Sequence, residues 1–263
     1  MRARRLWLII SWVTTVTAPV VGQERPRDDA ALATLCMVEW SIGPVWAGER
    51  LGCPPVVQPL AAPDRPCRTR YSTGVGTREE ARLRYDAAGR LREVEHVGRG
   101  RVTYAYDAEG RLTTRTRLTT GYAPITTTYA YAGGMISDET TSSTERHRWQ
   151  VEGGRLVSAE YVNGAPDAPP MSVSQWIYER DRFVGVDAVL CRTPSRGGAR
   201  CEPSGTVDRS RVTRDQAGRI SRRTNGDTTD VYTYDPRGRV IRIRSVSARF
   251  RDQMLVDYVC PDV

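Results

Sequence analysis

Apolar and polar residues alternate with a period of two along most of the chain from residue 82 onward, in short runs that break at glycine. In VTYAYDAEGRLTTRTRL (102–118), Val102, Tyr104, Tyr106, Leu112 and Leu118 fall on one side. Thr103, Ala105, Arg111, Thr113, Arg115 and Arg117 fall on the other. Successive side chains of a strand point to opposite faces, so the pattern predicts a half-buried antiparallel sheet with an aromatic inner face and a Thr/Arg outer one.

The breaks are turns of one kind. Asp-x-x-Gly-Arg is intact at Asp86 and Gly89, Asp107 and Gly110, Asp215 and Gly218, and Asp235 and Gly238. Asp suits the first position of a type I turn, where its carboxylate accepts from the turn's own backbone, and Gly supplies the positive φ that rejoins the strand. Pro236 sits second in the last copy, where its fixed φ already fits. The expected register pairs Asp107 with Arg111, Tyr106 with Leu112 and Tyr104 with Thr114. Looser copies run through Tyr129 and Tyr131, through Trp149 to Leu156, and through Trp176 and Tyr178 to Phe183. The post-turn apolar residues Leu91, Leu112, Ile136, Leu156, Phe183, Ile220 and Val240 are mostly 20 to 27 residues apart, the length of one hairpin. The 37 residues from Phe183 to Ile220 read as an inserted loop. About seven hairpins follow.

The motif Y-x-Y-D-x-x-G-R-L resembles the YD repeats of the RHS (rearrangement hotspot) and teneurin families, over residues 82 to about 245. That resemblance implies repeated hairpins wound into a shell around a toxin, or arranged as a cell-surface scaffold, and an association with carbohydrate. The array is short for a shell, and only 25 residues follow Gly238, so the expectation is a short member without a toxin domain.

Residues 1–22 read as a secretory signal: Arg2, Arg4 and Arg5, an apolar run Leu6 to Val13 too short to span a membrane, then Val20 and Gly22 at a cleavage edge. An exported chain with six cysteines predicts disulfides instead of metal ligands. Cys191 and Cys201 bracket a short loop and are expected to pair. Cys36, Cys53, Cys67 and Cys260 leave three connectivities, of which Cys53–Cys67 with Cys36–Cys260 is favoured. Residues 28–40 have the spacing of a short helix, and 23–81 as a whole, rich in Pro and Gly, reads as a Cys-rich cap over an edge that would otherwise invite aggregation. Residues 82–263 are the repeat domain.

The formal charge is +8, falling to about +5 without the three signal arginines, and there is no lysine. Arg, Ala, Gly and Pro abundance fits a GC-rich bacterial source. A basic chain attracts acidic polymers, although export and the lack of a recognition motif argue against nucleic acid. The two histidines, His96 and His147, lie in different repeats, outside any H-E-x-x-H spacing, and G-x-S-x-G and P-loop patterns are absent. No catalytic residue, metal site or cofactor is expected. The turn aspartates are expected to pair with Arg90, Arg111, Arg219 and Arg239.

Chemistry therefore narrows to an aromatic ladder: Tyr85, Tyr104, Tyr106, Tyr129, Tyr131, Trp149, Trp176, Tyr178, Tyr232 and Tyr234. These rings either fill a concave face or form a platform that stacks on sugars, with outward arginines beside it. The resulting expectation is an all-β protein, one curved and partly rolled sheet of hairpins under a Cys-rich cap. Its expected role is an exported, non-catalytic scaffold or binding module of the envelope or exterior, with polysaccharide or envelope proteins as partners and no membrane span in the mature chain. A glycan-binding adhesin and a half-open barrel carrying an apolar ligand are the alternatives.

Overall fold

The computed structural model describes residues 64–76, 78–132, 135–141, 145–152, 155–165, 168–180, 182–192 and 201–260. These form sixteen strands: β1 (Arg68–Ser72), β2 (Arg78–Tyr85), β3 (Leu91–His96), β4 (Gly100–Tyr106), β5 (Leu112–Thr119), β6 (Ile125–Ala132), β7 (Met135–Thr141) and β8 (Glu145–Glu152). They continue as β9 (Arg155–Asn163), β10 (Ser172–Glu179), β11 (Arg182–Arg192), β12 (Glu202–Arg214), β13 (Ile220–Asn225), β14 (Thr228–Tyr234), β15 (Val240–Val246) and β16 (Arg251–Asp257). Each pairs antiparallel with its neighbours in sequence, and β16 pairs with β1, closing a barrel. The proposed signal and the residues 28–40 helix lie outside the described residues.

The alternating pattern produces this result because seven hairpins, β2–β3 to β14–β15, four of them closed by D-x-x-G turns, present one apolar face each, and joining them side by side buries all of those faces together. The sheet rolls fully round where a partial roll was expected. The missing element is the pair β1/β16, which turns an open array into a ring. Among the described residues the first strand starts at Arg68, so residues 68–72 and 78–81, expected in the cap, belong to the barrel. The expected insertion is largely strand as well: β11 and β12, with 11 and 13 residues, lengthen one hairpin.

In the turns, the Asp107 amide donates to the Arg111 carbonyl at 2.9 Å, as expected, and Gly110 has φ 82. Tyr106 pairs with Leu112, but Tyr104 pairs with Arg115 and not with Thr114. The ladder slips by one residue just before every one of the seven turns, at Tyr85, Tyr106, Tyr131, Val151, Tyr178, Arg214 and Tyr234. A bulge sets two residues against one and reverses the in/out phase beyond it. The inward positions after each turn are therefore the first residue and the third beyond it. Leu91 and Val94, Leu112 and Arg115, Ile136 and Glu139, Leu156 and Ala159, Phe183 and Val186, Ile220 and Arg223, and Val240 and Ile243 are all buried. Leu118 pairs with Arg101 on the outer face, while Arg115 turns inward and Arg117 stands opposite inward-facing Val102.

The ring closes at a seam. Cys67 is bonded to Cys260, 193 residues later. Cys67 and Cys260 lie just outside β1 and β16, with Cα atoms 6.2 Å apart, so the expected Cys53–Cys67 and Cys36–Cys260 pairs give way to the one that strand pairing brings together. The C-terminal strand is tied to an N-terminal segment, as expected, but through Cys67. Cys36 and Cys53 lie outside the described residues. Arg68 and Arg70 both bridge to Asp257 across the seam, at 2.7 and 2.9 Å. The expected Cys191–Cys201 disulfide is present and clasps the far end of the long hairpin.

Candidate functional site

Antiparallel connectivity separates the connections into two rims. The turn rim holds the seven even-numbered connections, four of them D-x-x-G turns, and the Cys67–Cys260 seam; the far rim holds the odd-numbered connections and Cys191–Cys201.

At the turn rim each motif residue has one job in coupling neighbouring hairpins. Asp107 accepts from the Arg111 amide at 2.8 Å and from Arg111 Nε at 2.7 Å, and Asp86, Asp215 and Asp235 do the same with Arg90, Arg219 and Arg239. Burial alone would raise the Asp107 carboxyl, but the Arg111 amide and guanidinium outweigh it and hold it below the ordinary carboxylate range. Each arginine then covers a tyrosine of the next repeat, Arg90 over Tyr106 at 4.8 Å and Arg219 over Tyr234 at 4.5 Å. That tyrosine donates its hydroxyl to the carbonyl just past the preceding turn: Tyr106 to Leu91, Tyr131 to Leu112, Tyr178 to Leu156, Tyr234 to Ile220 and Tyr258 to Val240. In RVTRDQAGRI the tyrosine is replaced by Arg214, whose Nη2 donates to the Phe183 carbonyl at 3.3 Å and so keeps the link. Across the seam, Arg65 and Pro66 stand in for a turn arginine and its follower: Arg65 covers Tyr85, and Tyr85 donates to Pro66 at 2.8 Å. The ladder runs from one end of the chain into the other.

The first aromatic of each repeat lies deeper. Tyr104, Tyr129, Trp149, Trp176 and Tyr232 are all buried on the inner face, with Trp149 and Trp176 6.0 Å apart, while Tyr85, Tyr106, Tyr131, Tyr178 and Tyr234 are partly buried against the same core. The ladder expected from sequence is real but points inward, so these rings offer no outward platform for sugars and support the packing reading.

The bulges also bring charge inside, which sequence reading missed. Arg115, Glu139 and Arg223 occupy the inward position that Val94, Ala159, Val186 and Ile243 fill in other hairpins. Arg115 stands opposite Tyr104, and Glu139 lies between Tyr129 and His147. Arg223 faces Asp230 in a buried ion pair, and Ser245 donates to Asp230 at 2.6 Å. The third residue past each post-turn apolar position is the signal that finds them.

His147 is buried beside Trp149 and Tyr161, with ring centroids 5.9 and 5.1 Å away, and pairs in register with Glu139 and Tyr161. Burial pushes its imidazole down to about 4. A base with a lowered folded pKa leaves the native state binding fewer protons than the unfolded one, so stability falls as pH drops from about 6.5 to about 4, by about 3 kcal/mol. His96 is lowered in the same direction, first by burial. The turn aspartates act below this window. Chemical denaturation at pH 7, 5.5 and 4.5 checks the expectation: His147→Phe should remove most of the loss, and an unchanged slope would contradict it.

Outside, Thr, Arg, Glu and Ser predominate. Many arginines there are paired, as Arg84 with Glu93 at 2.8 Å and Arg211 with Asp187 at 2.6 Å. On β13 and β15, exposed Arg222 and Arg244 flank Val231 in one cross-strand row and have no acidic partner among the described residues. Near the far rim a groove of about 500 Å³ is lined by residues including Glu93, His96, Arg99, Arg101 and Tyr122. Among the described residues no group of three His, Cys, Asp or Glu side chains could hold a metal.

Residues 85–123 match the family model of the RHS repeat. Among curated proteins none matches this sequence. Among solved structures, a porin-like protein from Bacteroides uniformis is 11% identical over 73% of this chain and 98% of its own, with a TM-score of 0.47. The TcdB2-TccC3-Cdc42 and TcdB2-TccC3 structures are 14% and 15% identical over 66% of this chain, with TM-scores of 0.22. This chain spans 9% and 10% of their lengths.

Proposed function

We propose that the chain, whose residues 85–123 match the RHS repeat, is an exported, non-catalytic scaffold or binding module of the cell envelope or exterior. The observation that carries this reading is the sealed ring: interlocked hairpins, closed by Cys67–Cys260, with the apolar and aromatic face inside and a charged face outside. Structural disulfides belong to oxidising compartments, which supports export. A barrel that spans a membrane needs an apolar band on its outer face, whereas outward Arg82, Arg84, Thr103, Thr126, Arg148 and Arg244 give this one the surface of a barrel in water. Its buried rings support a packed interior over an apolar-ligand carrier.

A second reading, binding of acidic polysaccharide, moves from the aromatic rows to Arg222 and Arg244, which have no acidic partner among the described residues. Co-sedimentation of the oxidised protein with acidic polysaccharide or peptidoglycan tests it. Binding should fall steeply with salt, drop several-fold in Arg222→Glu/Arg244→Glu, and survive Trp149→Phe. Salt-resistant binding lost in Trp149→Phe would restore the stacking reading; absence of binding would leave the scaffold role alone.

A further inference from the structure

The two rims differ in a way that neither the repeat nor the scaffold reading explains. Of the eight large hydrophobic residues most exposed among the described residues, only Val259 lies at the turn rim. Val75, Val97, Tyr122, Met171, Leu190 and Phe250 lie on or beside connections of the far rim, and Ile125 adjoins Tyr122 there. Val75 and Tyr122 are 92% and 78% exposed. A D-x-x-G turn instead shows solvent Ala, Glu, Gln, Pro or Arg at its two central positions.

These apolar side chains are dispersed, on or beside six of the eight connections around the mouth of the barrel. Basic residues accompany them: Arg78 lies three positions after Val75, Arg99 two after Val97, and Arg249 and Arg251 flank Phe250. The nearby carboxylates are engaged, Glu79 with Arg99 at 2.8 Å and Asp252 with the Tyr71 hydroxyl. Asp227 stands on the β13–β14 connection, which carries no large apolar residue. Arg249 and Arg251 have no acidic partner among the described residues.

We propose that the far rim docks on a bilayer surface with anionic headgroups. A protein partner would have to bridge separated tips around the whole mouth of the barrel. A bilayer interface accepts each tip independently: aliphatic and aromatic side chains enter the headgroup–acyl boundary while the adjoining guanidinium groups meet phosphate. The polar outer wall stays in water, so the barrel stands on the membrane without crossing it. This goes beyond the scaffold reading and uses residues distinct from Arg222 and Arg244.

The test is co-sedimentation of the oxidised protein, purified after export, with vesicles of phosphatidylcholine alone and of phosphatidylcholine with phosphatidylglycerol. Partition should favour the anionic vesicles. Tyr122→Ser/Met171→Ser/Phe250→Ser should weaken it roughly tenfold or more, with the protein still folding cooperatively because these side chains lie outside the buried core. Arg249→Glu/Arg251→Glu should abolish the anionic preference, and Tyr122→Trp should give a blue-shifted emission on vesicles. The proposal is overturned by absence of partition, by partition undiminished in the triple serine variant, or by a dimer in light scattering that this variant dissociates.

Discussion

Replacing Cys67 and Cys260 together by serine is expected to lower the unfolding free energy by about 5 kcal/mol, the chain-entropy value for a bridge closing a 193-residue loop. The bond encloses nearly the whole ordered sheet, so the unfolded chain without it gains the freedom of almost every described residue. What remains at the seam after its loss is the short five-residue β1, the bridges from Arg68 and Arg70 to Asp257, and the Tyr85–Pro66 link. Exposed salt bridges of this kind contribute at most about 1 kcal/mol each. The loss should therefore appear as early opening of β1 and β16, read as rapid amide exchange in both strands, with β4 to β7 slower to follow. Guanidinium titration of wild type and variant gives the energy; a loss below about 1 kcal/mol would mean that strand pairing alone holds the ring. Cys191→Ser/Cys201→Ser, closing only a ten-residue separation, should cost less and leave the seam intact.

Asp230→Ala should destabilise the barrel by about 3–5 kcal/mol, because it leaves Arg223 buried without its carboxylate partner. Arg223 has a side chain only 6% exposed and lies opposite Asp230 on the next strand, turned away from bulk solvent. The Ser245 hydroxyl would lose its acceptor as well. The double change Arg223→Met/Asp230→Leu removes both charges and keeps volume, and it should recover most of the loss, as replacement of a buried pair by apolar residues commonly does. Ile243 at the equivalent position of the next hairpin shows that this repeat accepts an apolar residue there. If the double variant is as unstable as Asp230→Ala, the pair is needed for more than neutralising itself. Urea titrations of the three proteins decide between these outcomes.

How far the sequence could be read depended on whether the interaction was local. The D-x-x-G-R turns, the pairing of Tyr106 with Leu112, the buried post-turn residues from Leu91 to Val240 and the Cys191–Cys201 clasp are set within about ten residues and were legible. The face of Arg115 was not, because strict alternation carries no mark of the bulge that Thr113 introduces; only a neighbouring strand reveals the slip. Arg214 reads as a lost tyrosine until its guanidinium is seen on the Phe183 carbonyl. The β1/β16 seam has no repeat signature at β1, since RTRYS lacks the turn motif, and its pairing partner lies at the other end of the chain. The aromatic ladder was legible as a row, but its direction depended on closure: once the sheet becomes a ring, the aromatic face has only the inside to occupy. The far rim was invisible for a different reason, since Val75, Tyr122 and Phe250 sit in unrelated turns that share a location only through topology.

The central claim is that the repeats close into a covalent ring, and disulfide mapping tests it most directly. Proteolysis of the oxidised protein without reductant, followed by mass spectrometry, should yield a linked pair of peptides containing Cys67 and Cys260, and a second containing Cys191 and Cys201. Finding Cys67 joined to Cys53, or Cys260 joined to Cys36, would contradict the seam and with it the closed barrel.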